Sequence, residues 1–144
     1  MKATIIGCAV VLMAGLPVST AQAAEATCPT TEKKSESVRL ADPGKWSYTY
    51  YVSWCVEDGK VTTITPHITH EEDSRWCVWV GSAEEAMTPV TDGSGAWNAF
   101  NMSEFSCKDA AGKPGSVNPW AVITVRPNGS SSVPRKGIGD EIEE

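Results

Sequence analysis

From Trp46 onward, hydrophobic and polar positions alternate with a period of two. Trp46, Tyr48, Tyr50, Val52, Trp54 and Val56 fall on one side, and Ser47, Thr49, Tyr51, Ser53 and Cys55 on the other. Alternation this strict, carried by aromatic and β-branched residues, predicts a half-buried strand rather than a helix. Asp58-Gly59 follows, a pair that tolerates the positive φ angles of a type I′ turn. Lys60 to Thr69 is again β-branched. Together they predict a two-residue hairpin in which Val56 faces Val61 and Trp54 faces Thr63. Pro66 cannot donate to a ladder, so its nitrogen is expected at solvent or at a bulge.

Beyond a charged turn at Glu71-Glu72-Asp73-Ser74, Arg75 to Gly81 predicts another strand. Trp76, Val78 and Val80 share one face of it, and Cys77 and Trp79 the other. Ser82 to Met87, with Ser82 as N-cap and Glu85 three residues on, predicts a single helical turn. Ala96 to Cys107 fits neither the strand nor the helix period. Lys108 to Asn118 reads as a loop, and Pro119 to Val125 as a buried strand. Before the hairpin, residues 24–45 read as a polar arm pinned by a disulfide, with a short strand at Ser37 to Ala41. After Arg126-Pro127 the composition turns to Asn, Gly and Ser and then to acidic residues, which predicts a disordered tail over 128–144. Short strands separated by turn signals, without a long helix, predict an all-β fold. The expected architecture is a small disulfide-stapled antiparallel β-sandwich or barrel over residues 46–127.

The N-terminus changes the picture of where this domain works. Lys2 is followed by an apolar run from Ala3 to Val18 and by Ala21-Gln22-Ala23. That is the layout of a signal peptide over residues 1–23, with a bacterial-looking cleavage site. Pro17, Ser19, Thr20 and Gln22 break the run short of the roughly 20 apolar residues a membrane span needs. The expected product is secreted, with no membrane insertion after cleavage. Cys8 leaves with the signal, and Cys28, Cys55, Cys77 and Cys107 remain, an even set that reads as two disulfides. Cys28–Cys55 with Cys77–Cys107 is the favoured pairing of the three available, because each closes a local loop. The net charge of −6 argues against a nucleic-acid partner, since phosphate neutralisation supplies most of that affinity. An extracellular protein or a glycan is left as the expected partner.

Candidate chemistry is sparse. His67-Ile68-Thr69-His70-Glu71-Glu72-Asp73 gathers both histidines and three carboxylates, donors that suit zinc or calcium. His67, His70, Glu71 and Asp73 are the candidate metal ligands. On a strand, however, His67 and His70 point to opposite faces. This cluster carries the alternative reading, a small secreted hydrolase or metal-dependent protein, in which a Ser–His pair could use either histidine. No Gly-x-Ser-x-Gly elbow occurs, and Gly93-Ser94-Gly95 lies in a loop without the strand-to-helix context such a nucleophile needs. No catalytic residue and no cofactor is implied. The chain has six tryptophans, a side chain favoured in recognition patches. Tyr51, with Trp76 and Trp79, is the candidate aromatic face for stacking on sugars. Ser82–Gly95 and Lys108–Asn118 are the candidate contact segments for a protein partner. Asn101-Met102-Ser103 and Asn128-Gly129-Ser130 match the N-glycosylation pattern.

Trp46-Ser47-Tyr48 lies nine residues before Cys55, with Cys77 and Cys107 following. This spacing is similar to that of the small secreted actinobacterial α-amylase inhibitors, two-disulfide β-sandwich proteins with a Trp-Arg-Tyr inhibitory triplet. The resemblance implies an inhibitor. The chain departs from it in having Ser47 in place of the arginine, Cys28 further upstream, a triplet that opens a strand, and a long C-terminal extension. The expectation drawn from all these features is a secreted, non-enzymatic binding protein, inhibitor-like or glycan-binding.

Overall fold

The structure, a computed structural model, describes residues 28–143. The expected signal peptide lies outside the described residues. Ten strands form two antiparallel sheets packed face to face, and the described residues contain no helix. The first sheet holds β1 (Lys33–Lys34), β2 (Val38–Asp42), β3 (Trp46–Glu57) and β4 (Lys60–Glu72), with β1 and β2 on one side of β3 and β4 on the other. The second holds β5 (Cys77–Pro89), β6 (Trp97–Lys108), β7 (Pro114–Val117), β8 (Pro119–Val125), β9 (Ser131–Ile138) and β10 (Glu141–Glu143). Its order is β5-β6-β8-β9-β10, with β7 also paired to β6. Neither sheet closes into a barrel, so the fold is a sandwich.

The β3–β4 hairpin forms as its alternation demands. Asp58 (φ 49°) and Gly59 (φ 72°) supply the two positive φ angles of the turn. Val56 faces Val61 as expected, but a bulge beside Cys55 makes Thr62 an extra residue, so Trp54 faces Ile64 rather than Thr63. Trp46, Tyr48, Tyr50, Val52 and Trp54 are all buried against Ala99, Phe105, Ala121, Ile123 and Val125 of the second sheet. Trp46 packs on Phe105 with ring centroids 5.2 Å apart. The disulfides are Cys28–Cys55 and Cys77–Cys107, intramolecular bridges of the kind an oxidising compartment sustains.

Three expectations are corrected. Ser82–Met87 forms no helical turn: β5 runs through it to Pro89 by way of two bulges, one beside Val80 and one beside Ala83. Each bulge shifts the inward set by one residue, which breaks the period of two that would announce a strand. Within Lys108–Asn118, Pro114–Val117 pairs with β6 as β7 instead of remaining loop. The C-terminal segment is not a disordered tail, because β9 pairs along β8 and β10 pairs along β9. Its small and polar residues are those of strands at a sheet margin, where one side chain in two has little to pack against. Gly137 is required here. A Cβ on it would run into the Glu141 carbonyl oxygen and lie 2.8 Å from Cζ2 of Trp120. The indole of Trp120 in turn donates to the Gly139 carbonyl at 2.8 Å.

Candidate functional site

The structure does not bring Tyr51, Trp76 and Trp79 together. Tyr51 stands on the outer face of the first sheet, between β1 and β4. The Lys34 ammonium lies over its ring at 4.0 Å, and the His67 imidazole stacks on it at 4.5 Å. These two partners come from strands on opposite sides of β3, so both faces of the phenol are occupied. Trp79 pairs with Phe105 and points inward, stacked on His70 at 3.9 Å, with its indole N–H buried and without a partner. Trp76 sits in the turn before β5 and packs against the core. Trp46 and Tyr48, the outer members of the Trp46-Ser47-Tyr48 triplet, are both buried.

The acidic His segment is likewise divided. His67 lies on the outer face, where its Nε2 is 3.0 Å from Ser53 Oγ. His70 lies on the inner side, with Nδ1 2.8 Å from Glu72. Glu71 accepts from Ser47 at 3.4 Å and lies 4.0 Å from Arg39. Asp73 accepts hydrogen bonds from the Arg75 guanidinium and from the Arg75 backbone N–H, which hold its carboxyl down to about 2. Among the described residues, no group of three or more His, Cys, Asp or Glu is placed to hold a metal ion. The Ser53–His67 contact joins a buried hydroxyl on one strand to a ring on the next. Among the described residues, no carboxylate is bonded to His67 to complete a relay.

Between the sheets a polar cluster replaces hydrocarbon. The Tyr48 hydroxyl donates to Asn101 Oδ1 at 3.0 Å, and Asn101 Nδ2 donates to Ser82 at 3.0 Å and Glu85 at 2.9 Å. Burial, and after it the charges around them, push both the Tyr48 and Tyr50 phenols well above their ordinary value near 10. The Tyr50 hydroxyl is buried without a partner. Asn101 is fully buried, so the first of the two glycosylation-like triplets is sealed in the core, whereas Asn128 lies exposed in the β8–β9 turn.

The uncovered apolar surface lies elsewhere, on the outer face of the second sheet. On β6 the inward positions are Ala99, Asn101, Ser103 and Phe105, all buried, which turns Phe100 and Met102 outward. Met102 pairs with Trp120 of β8, all three of Phe100, Met102 and Trp120 being half-buried, and Phe100 pairs with Val122, which is buried. Phe100 and Trp120 meet at 6.2 Å. On β5, Val78 is 54 % and Val80 59 % exposed. At the opposite margin Ile142, 61 % exposed, pairs with Gly137, the residue beside Trp120. Apolar side chains thus recur across the sheet from β5 to β10, interrupted by carboxylates on the β5–β6 side, and no third sheet of described residues lies over them. Their charged neighbours are Glu84, directly across from Met102, Glu104, across from the Val80 bulge, and Arg135, across from Val122. Glu104 accepts from Ser116 at 2.9 Å. Reading the sequence for site residues missed this surface because β6 carries its polar residues inward and its apolar ones outward. The signal present was the regular spacing of Phe100, Met102 and Glu104.

The strand edges are guarded. Val52 spends both its N–H and its carbonyl on Ser35, at 3.0 and 2.9 Å. Its partner Pro66 therefore turns its nitrogen to the free edge of β4 and offers no donor there. The expectation for that proline holds, and the bulges of β5 interrupt the other long edge. No protein-family model matches the chain, and it is similar to no curated protein and to no solved structure.

Proposed function

We propose that this chain is an exported, non-enzymatic binding protein that contacts another protein through the outer face of its second sheet. The observation that carries the reading is the half-buried group of Phe100, Met102 and Trp120, bordered by exposed Val78, Val80 and Ile142. Aromatic residues, methionine and arginine are enriched where proteins meet. A contiguous apolar surface left in water on a folded monomer marks such contacts. A glycan would need an open ring face, and the Tyr51 ring is flanked on both sides. Export rests on the N-terminal pattern and on the two disulfides. Secretion into the medium is the reading we adopt.

The test is capture of extracellular proteins from the source culture on immobilised oxidised protein, in parallel with Val80→Asp and with Val80→Asp/Met102→Glu. Val80 is exposed enough that Val80→Asp leaves the fold intact by circular dichroism. One identified protein retained by the native chain and lost by both variants supports the reading. Retention that is indifferent to both variants, or retention on insoluble polysaccharide lost with Tyr51→Ala, overturns it.

A further inference from the structure

We infer that the segment of the partner seated on this face is cationic as well as apolar, a stretch in which Lys or Arg and large hydrophobic residues take turns along one and the same face. The inference rests on the reading of the outer face of the second sheet as the contact surface. The apolar side chains there are interleaved with carboxylates at fixed positions. Glu84 stands across β5–β6 from Met102, and Glu104 stands two residues from Met102 on β6 and across from the bulge that presents Val80. Any partner that covers Met102 and Val80 must also exclude water from these two carboxylates. Desolvating a carboxylate without a counter-charge is costly. A purely apolar partner bears that cost in full, whereas cations opposite Glu84 and Glu104 offset it.

The spacing defines the arrangement further. Residues two apart on a strand share a face, so an extended segment in which hydrophobic and basic side chains take turns at every second residue can present both to the Met102–Glu104 pair. Arg135 lies on β9 across from Val122, on the side away from β5 and β6. The acidic half of the face is therefore the β5–β6 half. The net charge of −6 acts in the same direction at long range. It speeds approach of a basic segment and opposes a second copy of this chain or an anionic membrane.

The probes are three short soluble peptides with Leu at every fourth residue, Lys, Glu or Thr midway between successive Leu residues, and Ser at the remaining positions. Binding to the full oxidised chain is measured by calorimetry and located by methyl NMR at Val78, Val80 and Met102. The expected result is that the Leu–Lys peptide shifts these methyls and binds roughly tenfold tighter than the Leu–Thr peptide, an advantage that fades as salt rises. Glu84→Lys/Glu104→Lys should transfer the preference to the Leu–Glu peptide. Equal affinity for all three peptides, with shifts at the same methyls, overturns the charge inference and leaves the face as a contact surface. Shifts confined to other parts of the molecule overturn both. A dimer in sedimentation that Val80→Asp dissociates identifies a second copy as the occupant and overturns the inference as well.

Discussion

Asn101 occupies a position where a strand facing the core would ordinarily carry a hydrophobe. Its side chain accepts from Tyr48 and donates to Ser82 and Glu85, which joins β3, β5 and β6 through one amide. Removing one partner from a buried polar set leaves the rest unsatisfied, at about 1–3 kcal/mol for each orphaned group. Asn101→Ala should therefore destabilise the fold by about 2 kcal/mol or more in urea denaturation. Tyr50→Phe deletes a hydroxyl that has no partner, and should leave stability unchanged or raise it by about 1 kcal/mol. The two phenols also set an alkaline limit. Their folded-state values are raised, so below pH ~10 both states hold these protons and the groups add no pH dependence. Above it the unfolded chain releases the protons and the folded one does not, and stability falls as pH rises. Urea midpoints measured from pH 8 to 11 should show that fall, and Tyr48→Phe/Tyr50→Phe should flatten it.

At the scale of elements, β3 and β4 could be read from their own residues, because period-two burial, a turn pair and β-branched flanks all agree. β5 could be read only as far as Gly81, and β6 and β9 could not be read at all. β5 hides its register in two bulges. β6 inverts the usual sign, with Asn101 and Ser103 inside and Phe100 and Met102 outside. β9 depends on β8 to exist at all, and Gly137 is the point at which β10 can approach. Gly137→Ala forces a methyl against backbone that cannot yield, a cost of about 1–3 kcal/mol by the measure of overpacked sites. Hydrogen exchange should then show the amides of β9 and β10 opening while those of β3 and β4 stay protected. Of the candidate site residues, the two histidines could be placed on opposite faces from the sequence, and they are so placed. The company kept by Tyr51 and Trp79 could not, since it comes from β1 and from across the sandwich.

For the whole molecule, two thin sheets are held by a modest core and two staples whose ends lie 27 and 30 residues apart. Each bridge contributes about 2–4 kcal/mol, chiefly by restricting the unfolded chain. Their local effects differ. Cys77 and Cys107 are directly paired in neighbouring strands, whereas Cys28 anchors a segment that otherwise reaches β3 through Thr30, two residues of β1 and Ser35. Cys28→Ser/Cys55→Ser should expose residues 28–36 to limited proteolysis while the second sheet remains resistant. Cleavage within β6 or β8 instead would show that this bridge stabilises the sandwich as a whole. By itself the sequence determined the all-β class, the first hairpin and the division of His67 from His70, and it favoured the disulfide pairing without fixing it. Those follow from alternation, turn chemistry and loop length, which are properties of nearby residues. Only the tertiary structure decided which surface is left bare. A face is open because no third layer covers it, and whether a layer is present depends on the packing of distant strands rather than on the pattern of any one of them.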